Sequence, residues 1–466
     1  MTAGPTRART PTAAQQLALD LPVSLPALAI EPEWKAQQRL WGHSFHPMCS
    51  YLASFPAALA HAFIARYSRP GDVVLDPFSG RGTTPLQACA EGRVGVGNDL
   101  NPFAHLLTGS KVEPATQAAA MTRLTQLRLG WNADSAAWSR SAHRVTDDPT
   151  ATGIPAAGSR QGPSGAAEQV PVEVALAFHP DTLGQLLFVR SELRLDDRTD
   201  RFLAAAITGI LHGKSASYLS ELMPNTFSMA PRYVRDFAVR TSFSSPRRDV
   251  FDGLASKVDR LFRQPGPSTE GIALLGDARD VAPRVQAALR ARGRPDRARL
   301  VVTSPPYLRV VKYGYYNWLR TWFLGFDARQ IDATLDDAHH RDPYLAFLRD
   351  VLAGLRPVLT DDAVIVLVIG DVETDRGRRI HGGVGLAERA WEQAAAPEGY
   401  RLAGVALDDV AAVRKMTKLW GDEAGRATKT DRILVLGADE AGRRRALAGA
   451  SLDIDWTWPP KSLRGL

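Results

Sequence analysis

Cysteine is scarce in this sequence of 466 residues, which contains only Cys49 and Cys89. Two cysteines exclude a disulfide framework and a cysteine-rich zinc site, and we predict no metal centre. No stretch approaches the roughly 20 apolar residues that a membrane-spanning helix needs. Pro22 and Pro26 interrupt the residues after the N-terminal arginines, so we predict no signal peptide. We therefore expect a cytoplasmic protein with no membrane partner.

The composition is that of a protein with a large core and a basic surface. Hydrophobic residues make up 45% of the chain and charged residues 23%, with a net charge of +7. A positive balance favours a polyanionic partner such as nucleic acid. A high-GC genome would give the same excess of arginine and alanine, so charge alone leaves both explanations open.

The organisation of the chain follows from two segments that are poor in apolar periodicity. Residues 1–30 are rich in Ala, Thr and Pro and are predicted to form a disordered N-terminal arm, and residues 141–170 are predicted to form a flexible linker. Elsewhere short apolar runs alternate with helical patterns, which predicts an α/β fold with a doubly wound, mostly parallel sheet. The predicted strands begin at Val73, Val94, Ile272, Leu300, Val364 and Arg432.

Residues 171–262 have the spacing of amphipathic helices and are predicted to form a helical insertion between the second and third strands. The two halves of the core are then residues 31–140 and 263–440, and residues 441–466 form a C-terminal tail. In a sheet of this kind, ligands lie beyond the carboxyl ends of the strands.

The first motif is the DPF turn, residues 76–84, which follows the first strand and opens a helix. Its sequence is Asp76-Pro77-Phe78-Ser79-Gly80-Arg81-Gly82-Thr83-Thr84. The two glycines permit a tight turn and close approach of a ligand to the backbone, although the third glycine of a dinucleotide fingerprint is absent. Taken alone, two glycines also fit an ordinary strand-to-helix turn.

Two further acids stand where the next strands end. Asp99 ends the second strand, at the position where an acid usually binds a ribose diol in this topology. It also fits a helix N-cap, the alternative reading. Asp277 ends the third strand and is predicted to meet an adenine edge, with an ordinary turn as the alternative.

The second motif is the SPPY turn, Thr303-Ser304-Pro305-Pro306-Tyr307, after the fourth strand. Alone it would be read as a rigid turn, because proline fixes φ and restricts the residue before it. Together, the two turns resemble the motifs of the DNA amino-methyltransferases, whose catalytic motif is written S/D/N-P-P-Y/F/W. The resemblance covers roughly residues 43–112 and 270–437, including a lead-in over 43–68.

The resemblance implies a Rossmann-like class I methyltransferase fold with seven strands and S-adenosylmethionine as cofactor. The implied cofactor-binding residues are Asp76, Pro77, Phe78, Ser79, Gly80, Gly82, Thr83, Asp99 and Asp277. The implied catalytic residues are Ser304, Pro305, Pro306 and Tyr307. The leading serine resembles the cytosine-N4 branch more than the adenine-N6 branch, although many serine-led relatives place the catalytic motif first.

The residue types of the SPPY turn suit methylation of an exocyclic amine. The lone pair of such a nitrogen is delocalised into the base, so acceptors for its N–H bonds make it a better nucleophile. Ser304 Oγ and the Pro305 carbonyl can both accept, and Tyr307 offers a face on which a flipped base can stack.

Basic residues interleaved with aromatic ones are predicted to bind DNA. After the SPPY turn these are Arg309, Lys312 and Tyr313, for which packing into the core is the alternative, and in the insertion they are Arg232 and Arg235. The stretch His212-Gly213-Lys214-Ser215 superficially resembles the end of a phosphate-binding loop. We reject that reading because no strand and no suitably placed glycine precede it.

The function predicted from these features is site-specific methylation of double-stranded DNA at a flipped base, with cytosine N4 favoured over adenine N6. A cognate restriction endonuclease or defence-system proteins would be further partners. Two alternatives stay open at this point. One is an RNA guanine-N2 methyltransferase, and the other is a catalytically inactive DNA-binding subunit with a methyltransferase fold.

Overall fold

The computed structural model of the chain describes residues 25–38, 40–52, 54–147, 170–306, 312–335, 341–373, 385–409 and 426–459. One sheet contains seven strands in the order β3-β2-β1-β4-β5-β7-β6. The strands are β1 Val73–Asp76, β2 Val94–Asp99, β3 Ile272–Leu275, β4 Ala298–Thr303, β5 Leu359–Glu373, β6 Arg401–Asp409 and β7 Arg426–Gly437. Strands β1 to β5 pair in parallel, and β7 is antiparallel to both β5 and β6. The predicted doubly wound, mostly parallel sheet of the class I methyltransferase type is confirmed.

Helices cover both faces of this sheet and fill the connection between β2 and β3. The α-helices are α1 Ala57–Tyr67, α2 Thr83–Ala90, α3 Pro102–Val112, α4 Gln117–Asp147, α5 Val172–Ala177, α6 Pro180–Glu192, α7 Arg198–Thr208, α8 Pro231–Thr241, α9 Val250–Leu261, α10 Val281–Ala291, α11 Trp318–Phe323, α12 Ala328–Thr334, α13 Arg341–Leu355, α14 Leu386–Arg389 and α15 Glu440–Ala450. Shorter helical turns cover Glu33–Ala36, His46–Met48, Ala278–Asp280, Tyr315–Asn317, Arg356–Val358 and Ala390–Ala395. None of the described helices is long and apolar enough to cross a membrane.

The continuous apolar runs of the strands are explained by burial on both faces of the sheet. In β1 all four residues are buried. Val73 and Leu75 pack with α10 and α13, whereas Val74 packs with α1 and α15 on the other face. Because successive side chains of a strand point to opposite faces, a strand between two helical layers needs an apolar residue at every position. The sheet edge that carries the two turns is therefore held between two cores.

The insertion between β2 and β3 is helical, as the spacing predicts, and it has its own core. Apolar side chains of α4, α6, α7 and α9 form one cluster with Phe45, Met48 and Tyr51 of the segment before α1. Gly209, just after α7, lies so close to this segment that an added Cβ would stand 1.8 Å from the Met48 carbonyl oxygen. The insertion and the segment before α1 therefore pack together tightly.

The boundaries of the predicted linker differ from the structure. Helix α4 continues to Asp147, and Trp138, Ala142 and Val145 are buried along one of its faces. Their spacing is that of a helix facing a core, and this outweighs the turn-forming residues that begin just after them. The prediction of a linker from residue 141 is therefore wrong over 141–147, and residues 148–169 lie outside the described part of the chain.

The predicted N-terminal arm and C-terminal tail are also too long, because residues of both pack on the sheet. Leu28 and Ile30 are buried, and residues 26 and 28 form backbone hydrogen bonds with Val405 of the edge strand β6. Helix α15 packs on β5 and β7, and the ring centroid of Trp41 lies 5.8 and 5.2 Å from those of Trp456 and Trp458. Residues 26–28 thus pair with the backbone groups of the edge strand β6, which explains why this part of the N-terminal segment is ordered. Residues 1–24 and 460–466 lie outside the described residues.

Candidate active site

The DPF turn connects β1 to α2 and bends sharply at its glycines. Gly80 and Gly82 have φ values of +50° and +76°, where a side chain would be strained. An added Cβ on Gly82 would lie 2.9 Å from Thr108 Oγ1, and one on Gly80 would face the Tyr51 ring at 3.6 Å. The positive φ values therefore favour glycine at both positions. At Gly80 no side chain separates the backbone of the turn from the Tyr51 ring.

Hydrogen bonds from β2 and α3 hold the turn in this shape. The amide of Ser79 donates to the Asn98 carbonyl at 2.9 Å, and the hydroxyls of Ser79 and Thr108 lie 3.0 Å apart. The amide of Gly80 donates to Asp99 Oδ2 at 2.8 Å. The acid at the end of β2 is thus part of the same unit as the turn after β1.

Asp99 keeps the capacity to bind a ligand. Besides the Gly80 amide, its carboxylate accepts from the amide of Asn101 at 2.9 Å. The cap of α3 is Asn101, whose side chain accepts from Phe103, so the helix-cap alternative for Asp99 does not describe this structure. The Leu100 amide also interacts with it, so of the roughly four acceptor positions of a carboxylate about one remains for a hydroxyl donor. Burial raises the pKa of Asp99 to about 6.

Asp76 joins the DPF turn to the SPPY turn. Its Oδ1 accepts from the Thr303 hydroxyl at 2.6 Å and from the Phe78 amide at 3.1 Å. β1 and β4 are neighbours in the sheet, so the two turns leave the same edge side by side. Burial is the main cause that raises the pKa of Asp76 to about 7. The two motifs, 227 residues apart in sequence, are therefore one site.

The SPPY turn begins where β4 ends. Ser304 Oγ is shielded from solvent and has no hydrogen-bond partner among the residues that the structure describes. Leaving a buried hydroxyl unpaired costs about 1–3 kcal/mol, so such a group calls for an explanation. A ligand amine that donates to this oxygen would remove the cost. Pro305 is buried and Pro306 partly buried, and Tyr307 and Arg309 lie outside the described residues.

Tyr51 is a residue of the site that the sequence motifs do not identify. Its ring stacks on Tyr313 with centroids 5.7 Å apart, and its hydroxyl accepts from Asn101 at 3.0 Å. Burial, and then the charge of Asp99, raise the pKa of Tyr51 well above its usual value. It falls in the predicted lead-in over 43–68, where no motif singles out one residue. Tyr313, predicted to contact DNA, is placed against this wall of the site.

Asn98 is a second residue that the motifs miss. Its side-chain amide donates to the carbonyls of Gly276 and Pro77, at 2.8 and 3.2 Å, which links the ends of β1, β2 and β3. Its Oδ1 is buried and has no described partner. Position 277 follows at the same edge, but the Asp277 carboxylate binds the amide of Arg279 at 2.8 Å and its guanidinium at 2.6 Å. These contacts are those of a turn, the alternative reading, and adenine binding by Asp277 stays a prediction.

The predicted DNA-contacting residues of the insertion lie on α8. Arg232 is 89% exposed and 3.8 Å from Asp236, and Arg235 is 3.1 Å from Glu173. The chain just before α8 is tied to the residues after the SPPY turn, since the Trp318 indole donates to the Met229 carbonyl at 2.6 Å. Lys312 is exposed in that stretch.

Some basic and aromatic residues after the SPPY turn pack into the core, which was the alternative to DNA contact. Trp318 is buried, and the guanidinium of Arg320 is 1% exposed. Arg320 donates to the carbonyls of Asn225 and Thr208 and to the Asn317 side chain. These side chains fasten the insertion to the sheet rather than reach solvent.

Comparison with known proteins agrees with the DPF half of the site. Residues 29–108 match a family model named N6_N4_Mtase and described as DNA methylase. This part of the chain is thus similar to the DNA methylases. The match includes β1, the DPF turn, α2 and β2, and it ends within α3, so it does not reach the SPPY turn.

Two curated relatives each match a short stretch of the chain. The type II methyltransferase M.MjaII of Methanocaldococcus jannaschii is 35% identical over 71 residues, which cover 15% of this chain and 13% of that protein. The type II methyltransferase M.Cfr9I of Citrobacter freundii is 36% identical over 70 residues, which cover 15% and 23%. The match thus spans less than a quarter of either relative.

Solved structures resemble the chain only distantly. TrmN from Thermus thermophilus shares 12% identity at a TM-score of 0.28, covering 84% of this chain and 52% of that one. The rRNA methyltransferase aviRa from Streptomyces viridochromogenes shares 13% at 0.27, covering 84% and 88%.

The family and the fold imply S-adenosylmethionine as the methyl donor, and the described residues fit this group. Gly80 leaves the backbone of the turn without a side chain, and an added Cβ there would have only the Tyr51 ring at 3.6 Å as a close neighbour, whereas Gly82 lets the turn pack against Thr108. Asp99 has about one acceptor position left for a ribose hydroxyl, and the orphaned Asn98 Oδ1 could accept from an amino group. These features lie at one edge of the sheet.

Proposed function

We propose that this protein methylates an exocyclic amine of a flipped base in double-stranded DNA, with cytosine N4 as the preferred target. The observation that carries the proposal is the orphaned Ser304 hydroxyl, which stands next to the cofactor-binding unit through the Asp76–Thr303 hydrogen bond. An acceptor in a dry site beside a methyl donor suits an amine nucleophile. Ser304 is thus assigned the role of orienting the target nitrogen.

The roles of the remaining site residues follow from their chemistry. S-adenosylmethionine, when bound, supplies an activated methyl group on a positively charged sulfur. The DPF turn from Asp76 to Thr83 would hold its methionine part, Asp99 its ribose diol and Asp277 its adenine edge. The Pro305 carbonyl would accept the second N–H bond of the target amine, and Tyr307 would stack on the flipped base.

The preference for cytosine rests on the residue at position 304. A serine hydroxyl is a neutral acceptor, and the serine-led form of the motif resembles the cytosine-N4 branch. The adenine-N6 branch usually carries aspartate or asparagine there. Adenine N6 is the second target of the same chemistry, and identification of the product separates the two.

DNA contact is assigned to basic residues of α8 and of the stretch after the SPPY turn. Arg232 and Arg235 project from α8, and Lys312 and Arg309 follow the SPPY turn. Arginine and lysine suit phosphates, and such contacts would position the duplex while the site reads the flipped base. A cognate restriction endonuclease stays a prediction.

Transfer of a labelled methyl group from S-adenosylmethionine tests the proposal. Purified protein is incubated with unmethylated duplex DNA or with RNA, and label in the nucleic acid is counted. We expect cofactor-dependent labelling of DNA and a loss of about 100-fold or more in Ser304→Ala, with cofactor binding intact. Ser245→Ala is the matched control, because Ser245 Oγ is also buried and unpaired but lies in the insertion.

Two outcomes would count against the proposal. Full activity of Ser304→Ala would remove the assigned role of the hydroxyl. Labelling of RNA but not of DNA would favour the RNA methyltransferase alternative. If the protein binds no S-adenosylmethionine even at high concentration, the inactive DNA-binding subunit would be favoured.

A further inference from the structure

A small cavity opens in the insertion, between the end of α7, the loop that follows it and helix α9. Its volume is about 240 Å³, and it is lined by Gly209, Ile210, Ser217, Tyr218, Lys257 and Arg260. Pockets for drug-sized ligands begin at roughly 300 Å³, so this one suits a smaller chemical group. None of these residues belongs to the site at the sheet edge.

Two cations in the cavity wall have no acidic partner among the residues that the structure describes. Lys257 is 7% exposed, and its ammonium donates to the Pro47 carbonyl at 3.0 Å, which leaves two N–H groups. Arg260 is partly buried and forms no hydrogen bond or ion pair with any described residue. Burying a positive charge without a counter-charge is unfavourable, so an anion in the cavity would stabilise both side chains.

Lys257 is one of the residues that line the cavity, together with Gly209 and Arg260. Its ammonium lies where the end of α7 meets the segment before α1, within 3.0 Å of the Pro47 carbonyl. A cation near the end of α9 is also favoured by the helix dipole, but that effect would be met equally by an exposed lysine.

Hydroxyl donors complete the lining. The Tyr218 hydroxyl accepts from Asn225 at 2.9 Å, so its own proton is available to donate. The Ser217 hydroxyl lies 2.9 Å from that of Ser215 on an exposed loop. These residues directly follow His212-Gly213-Lys214, the stretch rejected above as a phosphate-binding loop. A helix and not a strand precedes it, in agreement with that rejection, yet the loop closes a basic cavity.

We propose that this cavity binds a phosphate group, held by Lys257 and Arg260 and by the hydroxyls of Ser217 and Tyr218. Two cations and two hydroxyl donors, with no acidic side chain among the described lining residues, match the charge and the acceptor-only oxygens of phosphate. The phosphate comes either from a DNA backbone or from a mononucleotide. The site is separate from the sheet edge, and its existence does not depend on methyl transfer.

Binding of inorganic phosphate to the full chain, measured by calorimetry at constant ionic strength, tests the site. We expect saturable binding that weakens about tenfold or more in Arg260→Gln and in Lys257→Met. Arg263→Gln is the matched control, since Arg263 is an exposed arginine three positions further on, and it should bind as the unaltered protein does. Arg260→Gln keeps the test valid if the buried Lys257→Met variant fails to fold.

Competition then identifies the source of the phosphate. A short DNA duplex that displaces inorganic phosphate from the unaltered protein, but competes poorly in Arg260→Gln, would assign the cavity to the DNA backbone. Displacement by a nucleoside monophosphate alone would assign it to a mononucleotide, and both results support the site. The proposal is overturned if the protein shows no saturable phosphate binding, or if Arg263→Gln loses as much affinity as Arg260→Gln.

Discussion

At the sheet edge Asp76 is buried, Asp99 is partly buried and both are held by hydrogen bonds, whereas Arg232 and Arg235 on α8 are exposed. A buried charge is tolerated only where its partners are in place, so the sheet edge is a rigid site with one geometry. An exposed arginine retains its freedom and can follow a phosphate backbone. Under the proposed function, the sheet edge would carry out methyl transfer and α8 would hold the DNA.

The largest effect is expected at the sheet edge, from substitution of Asp76. Asp76→Ala removes the acceptor for Thr303 and Phe78, and we expect no measurable cofactor binding by calorimetry, because both turns lose their common anchor. Asp196→Asn, at a fully exposed carboxylate of the insertion, is the control and should bind normally. Retention of affinity within threefold in Asp76→Ala would show that the anchor is not needed.

A smaller effect is expected where the two regions meet. Tyr51 packs in the core of the insertion and also covers Gly80 of the DPF turn. Tyr51→Ala should weaken cofactor binding about tenfold through loss of the stacked wall, since aromatic pairs contribute about 0.5–1.5 kcal/mol beyond their burial. Tyr51→Phe, which keeps the ring, should restore most of the affinity. Equal losses in both variants would place the contribution in the hydroxyl instead.

Cofactor binding should depend on pH because of Asp99. Its pKa is raised to about 6 by burial, so below pH 6 the carboxyl is mostly protonated and is a poorer acceptor for a ribose diol. Affinity should therefore rise several-fold from pH 5 to pH 7. In Asp99→Asn the rise over this range should be reduced, and what remains should follow Asp76, whose pKa is raised to about 7. An unchanged profile in Asp99→Asn would contradict the role of this carboxylate.

The smallest effect per residue is expected on α8. Arg232→Gln and Arg235→Gln should each weaken binding to duplex DNA by a few-fold and reduce the salt dependence by about one counterion. Cofactor affinity should not change. Arg290→Gln is the matched control, because Arg290 is an exposed arginine on α10 that is paired with Asp296 at 3.0 Å. Identical salt slopes for α8 and α10 variants would remove α8 from the DNA surface.

The same division explains what could be predicted from the sequence. Buried parallel strands are continuous apolar runs, and the DPF and SPPY turns are contiguous, so six strands and both motifs are visible in the sequence. Strand β6 escapes notice because it is short in large apolar residues, with alanine and glycine at 403, 404 and 406. As an edge strand covered by residues 26–28, it needs less apolar surface.

Long-range contacts account for the site residues that could not be predicted. The Asp76–Thr303 bond joins positions 227 residues apart, and the stacking of Tyr51 on Tyr313 depends on how the insertion meets the sheet. No local pattern specifies such pairs. At Asp277 the local pattern is visible but ambiguous. An acid at a strand end fits both an adenine contact and the turn with Arg279 that the structure contains.

Identification of the modified nucleoside by mass spectrometry tests the central claim most directly. Unmethylated duplex DNA is incubated with the protein and S-adenosylmethionine, hydrolysed to nucleosides and compared with a Ser304→Ala reaction. The account predicts N4-methylcytosine from the unaltered protein and almost none from the variant. N6-methyladenine would contradict the preference for cytosine, and the absence of any methylated nucleoside from DNA would contradict the proposed function itself.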